Sequence, residues 1–305
     1  MDSNLQRTRA PSTAHAFTSA NDSSHAGHDP RGLAERLVVG TSSGHRHGPV
    51  TRIVSPSDIG ELIKPFVFLD YFDFTPTAAP LFPMHPHSGI ATVTVLLDGE
   101  LKYEDTTGVH GARGVLAAGS VEWLRAGGGV WHDASPSNAQ RFRGYQLWLA
   151  LPAALENAEA RSQYLAPSEL ARTGPARVIV GTYGGISSPV ESPQGITYLH
   201  VHLHDGATWR YATPKGHTVA WTHVNQGALV TSQHRIASEL AVFDESEEDI
   251  VFTAEGETDF VIGSAVKHPH ELVLGHYSVH TSQHALARGE AEISRIGKAL
   301  KAGKA

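Results

Sequence analysis

The sequence predicts an all-β protein built from two β-domains in tandem, followed by a short C-terminal helix. Short apolar, β-branched segments alternate with turns at a spacing of about 8–12 residues, which is typical of an all-β sandwich or barrel. The 30 glycines and 17 prolines suit many short strands joined by turns. The strand pattern is interrupted once, near residues 152–176, and then resumes with the same rhythm.

Local patterns place the expected elements along the chain. Residues 153–163 are rich in Ala and Glu at helix-like intervals, which predicts a linker helix or a turn. Residues 282–301 carry apolar residues at helical spacing with lysines at the end, which predicts the C-terminal helix. The expected strands cover residues 38–40, 50–54, 66–74, 92–97, 101–104, 114–116, 121–124, 144–151, 176–181, 195–204, 218–224, 228–230, 239–243, 250–253 and 258–263.

These elements divide the chain into three parts. Residues 1–32 lack apolar periodicity and bulky apolar side chains, so we expect a mobile N-terminal tail. We expect the first β-domain at residues 33–155 and the second, which includes the helix, at residues 156–305. Each of the two is long enough to bury its own core.

Charge and hydropathy exclude two kinds of partner. The formal net charge of −7, with no compensating basic cluster, argues against direct nucleic acid binding. No apolar run approaches the length of about 18 residues that a membrane-spanning helix needs, and the N-terminus is polar. We therefore expect a cytoplasmic protein that does not bind a membrane.

The lack of cysteine restricts the chemistry of any metal site. The chain has 20 histidines and no cysteine, so it has no disulfides, thiolate zinc sites or cysteine nucleophiles. A bound metal would be held by His, Asp or Glu side chains. Such ligands suit a divalent iron, nickel, copper, manganese or zinc ion.

Two histidines at the start of an apolar run form the clearest candidate for such a site. His85 and His87 directly precede the β-branched run at residues 90–95. Since side chains alternate along a strand, both imidazoles project from one face, with Cβ atoms about 6–7 Å apart. His132, which follows three glycines, is the best candidate for a third ligand. The sequence therefore predicts a metal site made of His85, His87 and His132 in a small β-barrel.

Other histidine clusters have simpler interpretations. His200, His202 and His204 would share one face of a strand, and a solvent-facing polar stripe is favoured there over a second metal site. The pairs at residues 45–47 and 268–270 lie in turn-rich sequence, where a metal site is less expected.

These segments together resemble the pirin family, whose members are bicupins of the cupin superfamily. The resemblance covers most of the chain after the tail and is specific because many motifs occur together. It implies two tandem cupin β-barrels, of which the N-terminal one holds a single non-haem metal, usually iron. The matching segments are residues 64–66, 70–72, 82–87, 89, 92–94, 98–99, 104–105, 108, 110–111, 119–123, 126–132, 146–148 and 275–279.

The resemblance also implies a ligand set from which this chain departs. Pirins hold the metal with three histidines and one glutamate, and the histidines correspond to His85, His87 and His132. The glutamate, two residues after the third histidine, is replaced by Ala134, and a second family carboxylate is replaced by Ala91. The nearby carboxylates that remain are Asp133, Glu104, Asp105 and Glu122, and on a regular strand Asp133 points away from His132.

Two functions follow from the resemblance. The first is a metal-dependent oxidoreductase of the quercetin 2,3-dioxygenase type, which opens a flavonol ring with O₂ and has a small aromatic molecule as its substrate. The resemblance implies that the family glutamate acts as the base, so its absence predicts slow turnover. The alternative is a non-catalytic, metal-dependent regulator that binds a protein partner. The sequence leaves the oligomeric state open.

Overall fold

A computed structural model describes residues 18–19, 35–76, 82–108, 111–138 and 140–303. The predicted tail at residues 1–32 lies outside the described residues except for Thr18 and Ser19, which pair with residues 40–41. Among the described residues, no helix is both long and apolar enough to cross a membrane.

The described elements are antiparallel strands of 2 to 16 residues, two α-helices and one 3₁₀ turn. In the first half they are β1 (Thr18–Ser19), β2 (Val38–Ser42), β3 (His45–His47), β4 (Val50–Val54), α1 (Ile59–Leu62), β5 (Phe66–Phe74), β6 (Phe82–His87), β7 (Ile90–Asp98), β8 (Glu100–Asp105), β9 (Ala112–Ala117), β10 (Val121–Arg125), β11 (Val130–Pro136) and β12 (Phe142–Ala150). In the second half they are β13 (Arg161–Leu165), a 3₁₀ turn (Pro167–Glu169), β14 (Arg172–Thr173), β15 (Ala176–Val180), β16 (Thr182–Tyr183), β17 (Ile186–Ser187), β18 (Ile196–Leu203), β19 (Thr208–Tyr211), β20 (Val219–Val230), β21 (Arg235–Ile236), β22 (Leu240–Phe243), β23 (Ile250–Ala265), β24 (Val273–Leu274), β25 (Val279–His280) and α2 (Gln283–Lys301).

Two sheets form the first β-domain. A seven-stranded sheet runs in the order β13-β10-β7-β12-β5-β4-β3, and a four-stranded sheet runs in the order β6-β11-β8-β9. They share a core in which Phe72 and Leu96 of the larger sheet pack with Leu101 and Leu116 of the smaller. Burial of these side chains against each other is the main force that holds the two sheets together.

One curved sheet forms the second β-domain. Its ten strands follow the order β1-β2-β22-β20-β23-β18-β15-β14, with β19 and β21 attached to β23 and β20. The sheet encloses a separate core that includes Val201, Phe252 and Phe260. The prediction of an all-β chain with two β-domains and a C-terminal helix is confirmed. The strands form the sheets of the two domains, and α2 follows the Ser282 N-cap.

Strands cross between the two halves. β2, inside the first predicted domain, pairs with β22 of the second sheet. β13, just inside the second predicted domain, pairs with β10 of the first. Of the two alternatives for residues 153–163, a linker helix or a turn, the structure has turns at residues 153–157, and residues 161–165 form β13, in which Leu165 is buried opposite Val121. The domain boundaries at residues 32 and 155 stay predictions.

The two β-domains meet through a buried interface. Tyr145 of the first domain and Trp221 of the second belong to one apolar cluster. The Tyr145 hydroxyl oxygen lies 2.8 Å from Nδ1 of His223, which is buried on β20. Burial lowers the pKa of His223 to about 3, so this imidazole is neutral in the folded protein at neutral pH.

This neutral histidine predicts a loss of stability in acid. Between about pH 6.5 and about pH 3, the unfolded chain binds a proton at His223 that the folded chain does not, so the free energy of unfolding falls as pH falls. We expect His223→Asn to reduce the loss between about pH 6.5 and about pH 5 by about 2 kcal/mol. Urea unfolding of both proteins at the two pH values measures this difference. Equal losses would show that His223 is not held neutral, and other buried histidines cancel in the comparison.

Candidate metal centre

The three histidines predicted as ligands lie together on neighbouring strands of the four-stranded sheet. His85 and His87 are on β6, and His132, on the adjacent β11, is the register partner of His85. The imidazole centroids are 4.9 Å apart for His85 and His87, 4.5 Å for His85 and His132, and 5.1 Å for His87 and His132. Each ring offers a nitrogen within 4.8 Å of the other two, so the group could hold a metal ion.

Prolines and glycines fix the local path of the chain. Pro83 and Pro86 fit β6 because β6 is an edge strand of its sheet, where a missing N–H breaks no ladder. Gly89 follows with φ +76°, and a Cβ there would lie 2.0 Å from the Val279 carbonyl oxygen. Gly127, with φ +51°, accepts a hydrogen bond from the Gly89 N–H at 2.7 Å. These glycines bring the loops before β7 and β11 together beside the histidines.

Carbonyl oxygens face the Nδ1 atoms of two of the three histidines. Nδ1 of His85 lies 2.8 Å from the Pro83 carbonyl oxygen, and Nδ1 of His87 lies 3.2 Å from the Tyr277 carbonyl oxygen. Since a carbonyl only accepts, both rings carry their proton on Nδ1, and Nε2 is left with a free lone pair. The Nε2 atoms of His85 and His132 are 3.1 Å apart. The free Nε2 of His85 thus faces Nε2 of His132.

The protonation state of the site suits metal ligation. Burial, together with the neighbouring His132 ring, lowers the pKa of His85 to about 4. Burial is also the largest cause that lowers the pKa of His87 well below its usual value. Both imidazoles are therefore neutral at neutral pH, as a metal ligand must be.

A buried carboxylate lies behind His132. Glu122 of β10 is fully buried, and its Oε1 lies 3.6 Å from Nδ1 of His132. Its Oε2 accepts a hydrogen bond from the Thr94 hydroxyl, but neither Oε1 nor His132 Nδ1 has a hydrogen-bond partner. A carboxylate on the far nitrogen of a ligating histidine is a common feature of metal sites. Glu122 was only a distant candidate from sequence, although it is the one charged residue in an apolar stretch, 121–124.

The other acidic candidates do not join the histidines. Asp133 lies opposite Glu104 of β8. The β6–β11 register shifts between His132 and Ala134, but this irregularity does not bring Asp133 into the histidine group. Asp105 is buried but engaged, because it accepts hydrogen bonds from the Tyr164 hydroxyl and the Thr107 N–H. None of these carboxylates belongs to the group of ligand atoms found within the described residues.

An aromatic cavity opens in front of the histidines. It has a volume of about 400 Å³ and includes Ala134, the position of the family glutamate. Phe68 and Trp148 stack at 4.0 Å with an interplanar angle of 8°, and Trp148 also packs edge-on against His87 at 4.8 Å. Neither Trp123 nor Trp131 lines this cavity: Trp123 lies in the apolar core, and Trp131 donates its indole N–H to the Ile293 carbonyl. The wall comes from β5 and β12, and its polar part from Thr94 and Gln146.

The C-terminal segment completes the site. Besides the Tyr277 carbonyl that contacts His87, the Ser88 hydroxyl donates to the Ser278 hydroxyl at 2.8 Å. Helix α2 packs against β11, where Gly297 lies under the Trp131 ring. Residues from the far end of the chain therefore contact both strands that carry the predicted ligands.

Together these residues fit a divalent metal ion. Three imidazoles with converging nitrogens form an all-nitrogen donor set, and the Glu122 oxygen without a hydrogen-bond partner lies directly behind it. Imidazole donors suit iron, nickel, copper and zinc, while a purely oxygen-liganded ion such as calcium does not fit.

Comparison with known proteins agrees with this geometry. The family model described as Pirin matches residues 49–149. A Pseudomonas aeruginosa protein named "Putative quercetin 2,3-dioxygenase PA3240" is 32% identical over 206 residues, which cover 61% of this chain and 68% of that protein. A pirin-like protein of Caulobacter vibrioides is 29% identical over 227 residues, which cover 69% of this chain and 76% of that protein.

Solved structures share the fold at lower identity. Quercetin 2,3-dioxygenase from Acinetobacter baumannii superposes with a TM-score of 0.78 at 22% identity, covering 86% of this chain and 98% of that one. The Escherichia coli pirin YhhW, in complex with nickel(II), gives a TM-score of 0.59 at 17% identity, covering 73% of this chain and 95% of that one. The all-β architecture is thus that of two tandem cupin β-barrels with a C-terminal helix, and the chain belongs to the pirin family.

Proposed function

We propose that this chain binds one divalent non-haem metal ion through His85, His87 and His132, and that the loaded protein is a quercetin 2,3-dioxygenase-type oxidoreductase. Iron is the proposed metal because pirins usually bind iron, and the nickel(II) in YhhW supports a site that also accepts other divalent ions. The setting we propose is the cytoplasm, and the substrate is a small aromatic molecule that carries a hydroxyl group.

One observation carries the proposal. Carbonyl oxygens face the Nδ1 atoms of His85 and His87, so Nε2 of both rings is left free, and the ligand nitrogens of all three histidines lie within 4.8 Å of one another. Without a shared partner, the lone pairs of His85 and His132 would face each other at 3.1 Å, unless one ring is protonated there. A metal ion between them satisfies both lone pairs. When bound, such an ion supplies Lewis-acid and redox chemistry toward a phenolic hydroxyl and O₂.

The cavity suits a flat aromatic substrate. A volume of about 400 Å³ falls within the range of ligand pockets, and the stacked Phe68 and Trp148 rings offer an apolar wall. Such a wall orients a planar ring and excludes water from one side of it. The Arg52 guanidinium, 3.9 Å from the Phe68 ring centroid and paired with Asp70, supplies a polar rim.

In the described part of the chain, the site lacks a free carboxylate that could accept the proton of the substrate hydroxyl. Ala134 offers no carboxylate, and Glu122 lies behind His132 and does not line the cavity. Asp70 does line the cavity, but its carboxylate is held by Arg52, and burial raises its pKa. Since no free carboxylate faces the substrate among the described residues, we expect turnover to be slow.

Oxygen-dependent consumption of quercetin tests this function. We expect the iron-loaded wild-type protein to consume quercetin with O₂, and the double variant His85→Ala/His132→Ala to be inactive. His284→Ala, which changes an exposed histidine on α2, is the control and should match the wild type. Activity that survives in the double variant would contradict the metal mechanism. A metal-loaded wild-type protein that leaves quercetin untouched would contradict the proposed substrate and favour the regulatory alternative.

A further inference from the structure

We propose that His202, His204 and Glu257 form a second, independent metal site that takes a divalent transition-metal ion such as Zn²⁺. The site lies on the surface of the second β-barrel, apart from the candidate centre on β6 and β11. It does not depend on the function proposed above.

Strand register places the three side chains on one face. His202 is near the end of β18 and His204 follows it by two residues, so both side chains project to the same side. β18 pairs antiparallel with β23, in which Asp259 is opposite His202 and Thr258 is opposite Leu203. The next register position sets Glu257 beside His204. Two strands thus present three ligands as a compact triangle.

The ligand atoms converge on a single point. Nε2 of His202 and Nδ1 of His204 each lie 3.0 Å from Oε2 of Glu257. The three atoms lie within 4.8 Å of one another, a spacing that one metal ion can bridge. Two imidazole nitrogens and one carboxylate oxygen form a donor set that zinc uses widely, with a remaining position for water.

The site is open to ions in solution. The side chains of His202, Glu257 and His204 are 40%, 53% and 82% exposed. An ion can therefore enter without any rearrangement of the barrel. Water can occupy the coordination positions that the protein does not fill.

A second layer of polar residues supports His202. Its Nδ1 lies 3.9 Å from Oδ2 of Asp259, on the side of the ring away from Glu257. Asp259 is itself held by His200 Nε2 at 2.8 Å and by the Asn225 amide at 2.7 Å. A fixed carboxylate beside the outer nitrogen favours the tautomer that leaves Nε2 free for a metal. The predicted polar stripe at residues 200–204 therefore ends in two histidines, His202 and His204, that are positioned as ligands.

Other histidine pairs lack this organisation. His45 and His47 lie two residues apart on β3, with ring centroids 4.6 Å apart, which resembles the spacing of His202 and His204. Within the described residues, however, this pair belongs to no group of three converging ligand atoms. The pair therefore offers a matched control, in which histidine number and spacing change but no third ligand is lost.

Zinc titration tests the proposal in a chain that lacks the first centre. In the full-length His85→Ala/His132→Ala background, isothermal titration with Zn²⁺ is expected to show one saturable site. Adding His202→Ala/His204→Ala should abolish that site, and adding Glu257→Gln should weaken it by at least about 10-fold. Adding His45→Ala/His47→Ala should leave it unchanged.

A stability measurement provides a second readout. Zinc that binds the folded chain should raise the melting temperature of the background protein but not of the variant without His202 and His204. Because these side chains are exposed, the variants should retain the β-sheet circular dichroism of the parent. Saturable zinc binding that survives the loss of His202 and His204, or no saturable binding in the background protein, would overturn the proposal.

Discussion

Replacing both His85 and His132 with alanine is expected to abolish metal binding at the candidate centre. The double variant removes two of three converging imidazoles, and His87 alone cannot compete with water for a divalent ion. Loss of a residue that only hydrogen-bonds to a metal ligand typically lowers affinity by about 10- to 100-fold. Since two ligands are lost here, we expect the affinity for Fe²⁺ to fall by more than about 100-fold. Titration of Fe²⁺ under anaerobic conditions measures the change.

Two controls make this result specific. His284→Ala removes an exposed histidine and should bind Fe²⁺ as the wild type does. The background His202→Ala/His204→Ala, applied to every protein compared, prevents the second proposed site from masking the loss. Unchanged affinity in the double variant, with circular dichroism of a folded protein, would show that these histidines are not the ligands.

The second large effect is expected at Glu122. Replacing it with glutamine keeps the shape of the side chain but removes the negative charge 3.6 Å from Nδ1 of His132. Partners in this position typically change metal affinity by about 10- to 100-fold, so we expect Glu122→Gln to weaken Fe²⁺ binding by at least about 10-fold. The metal-free variant should be no less stable to heat than the wild type, because a buried carboxylate oxygen without a partner costs free energy.

A restoring substitution separates charge from packing. Ala134→Glu places a carboxylate on the cavity side of His132, at the position where the pirin resemblance implies a glutamate, and should recover Fe²⁺ affinity in the Glu122→Gln background. If Glu122→Gln instead lowered the melting temperature of the metal-free protein and left the affinity unchanged, Glu122 would be a structural residue. The combined variant then would bind no better than the single one.

Local patterns were sufficient for the all-β architecture and for the shared face of His85 and His87. Turn spacing predicted the all-β fold, and the alternation of side chains placed His85 and His87 on one face, as their rings are observed. The C-terminal helix at residues 282–301 became α2, Gln283–Lys301. Such features depend on residues that are close in sequence, so they can be read without knowing the tertiary contacts.

Long-range pairing explains what the sequence could not reveal. The contact between His87 and the Tyr277 carbonyl joins residues 190 positions apart, and no local pattern specifies it. The role of Glu122 depends on the register of β10 against β7, which places it opposite Thr94. Residues 153–163 have helix-like spacing, but pairing with β10 places residues 161–163 in β13 instead of a helix.

The polar stripe at residues 200–204 also shows that strand pairing cannot be read from a local pattern. Alternation predicted a shared face for His200, His202 and His204, and that is where they lie. Which of them approach a carboxylate depends on the neighbouring strand: Asp259 meets His200, whereas Glu257 meets His202 and His204. The ligand triangle therefore appears only when β18 and β23 are paired.

The metal content of the purified chain tests the central claim most directly. Protein with His202→Ala/His204→Ala, prepared without a histidine tag, would be loaded anaerobically with Fe²⁺, freed of excess metal and analysed for iron. If His85, His87 and His132 form the site, the content will be about one ion per chain. A folded chain that retains less than about 0.1 ion would contradict the assignment of a metal centre to these histidines.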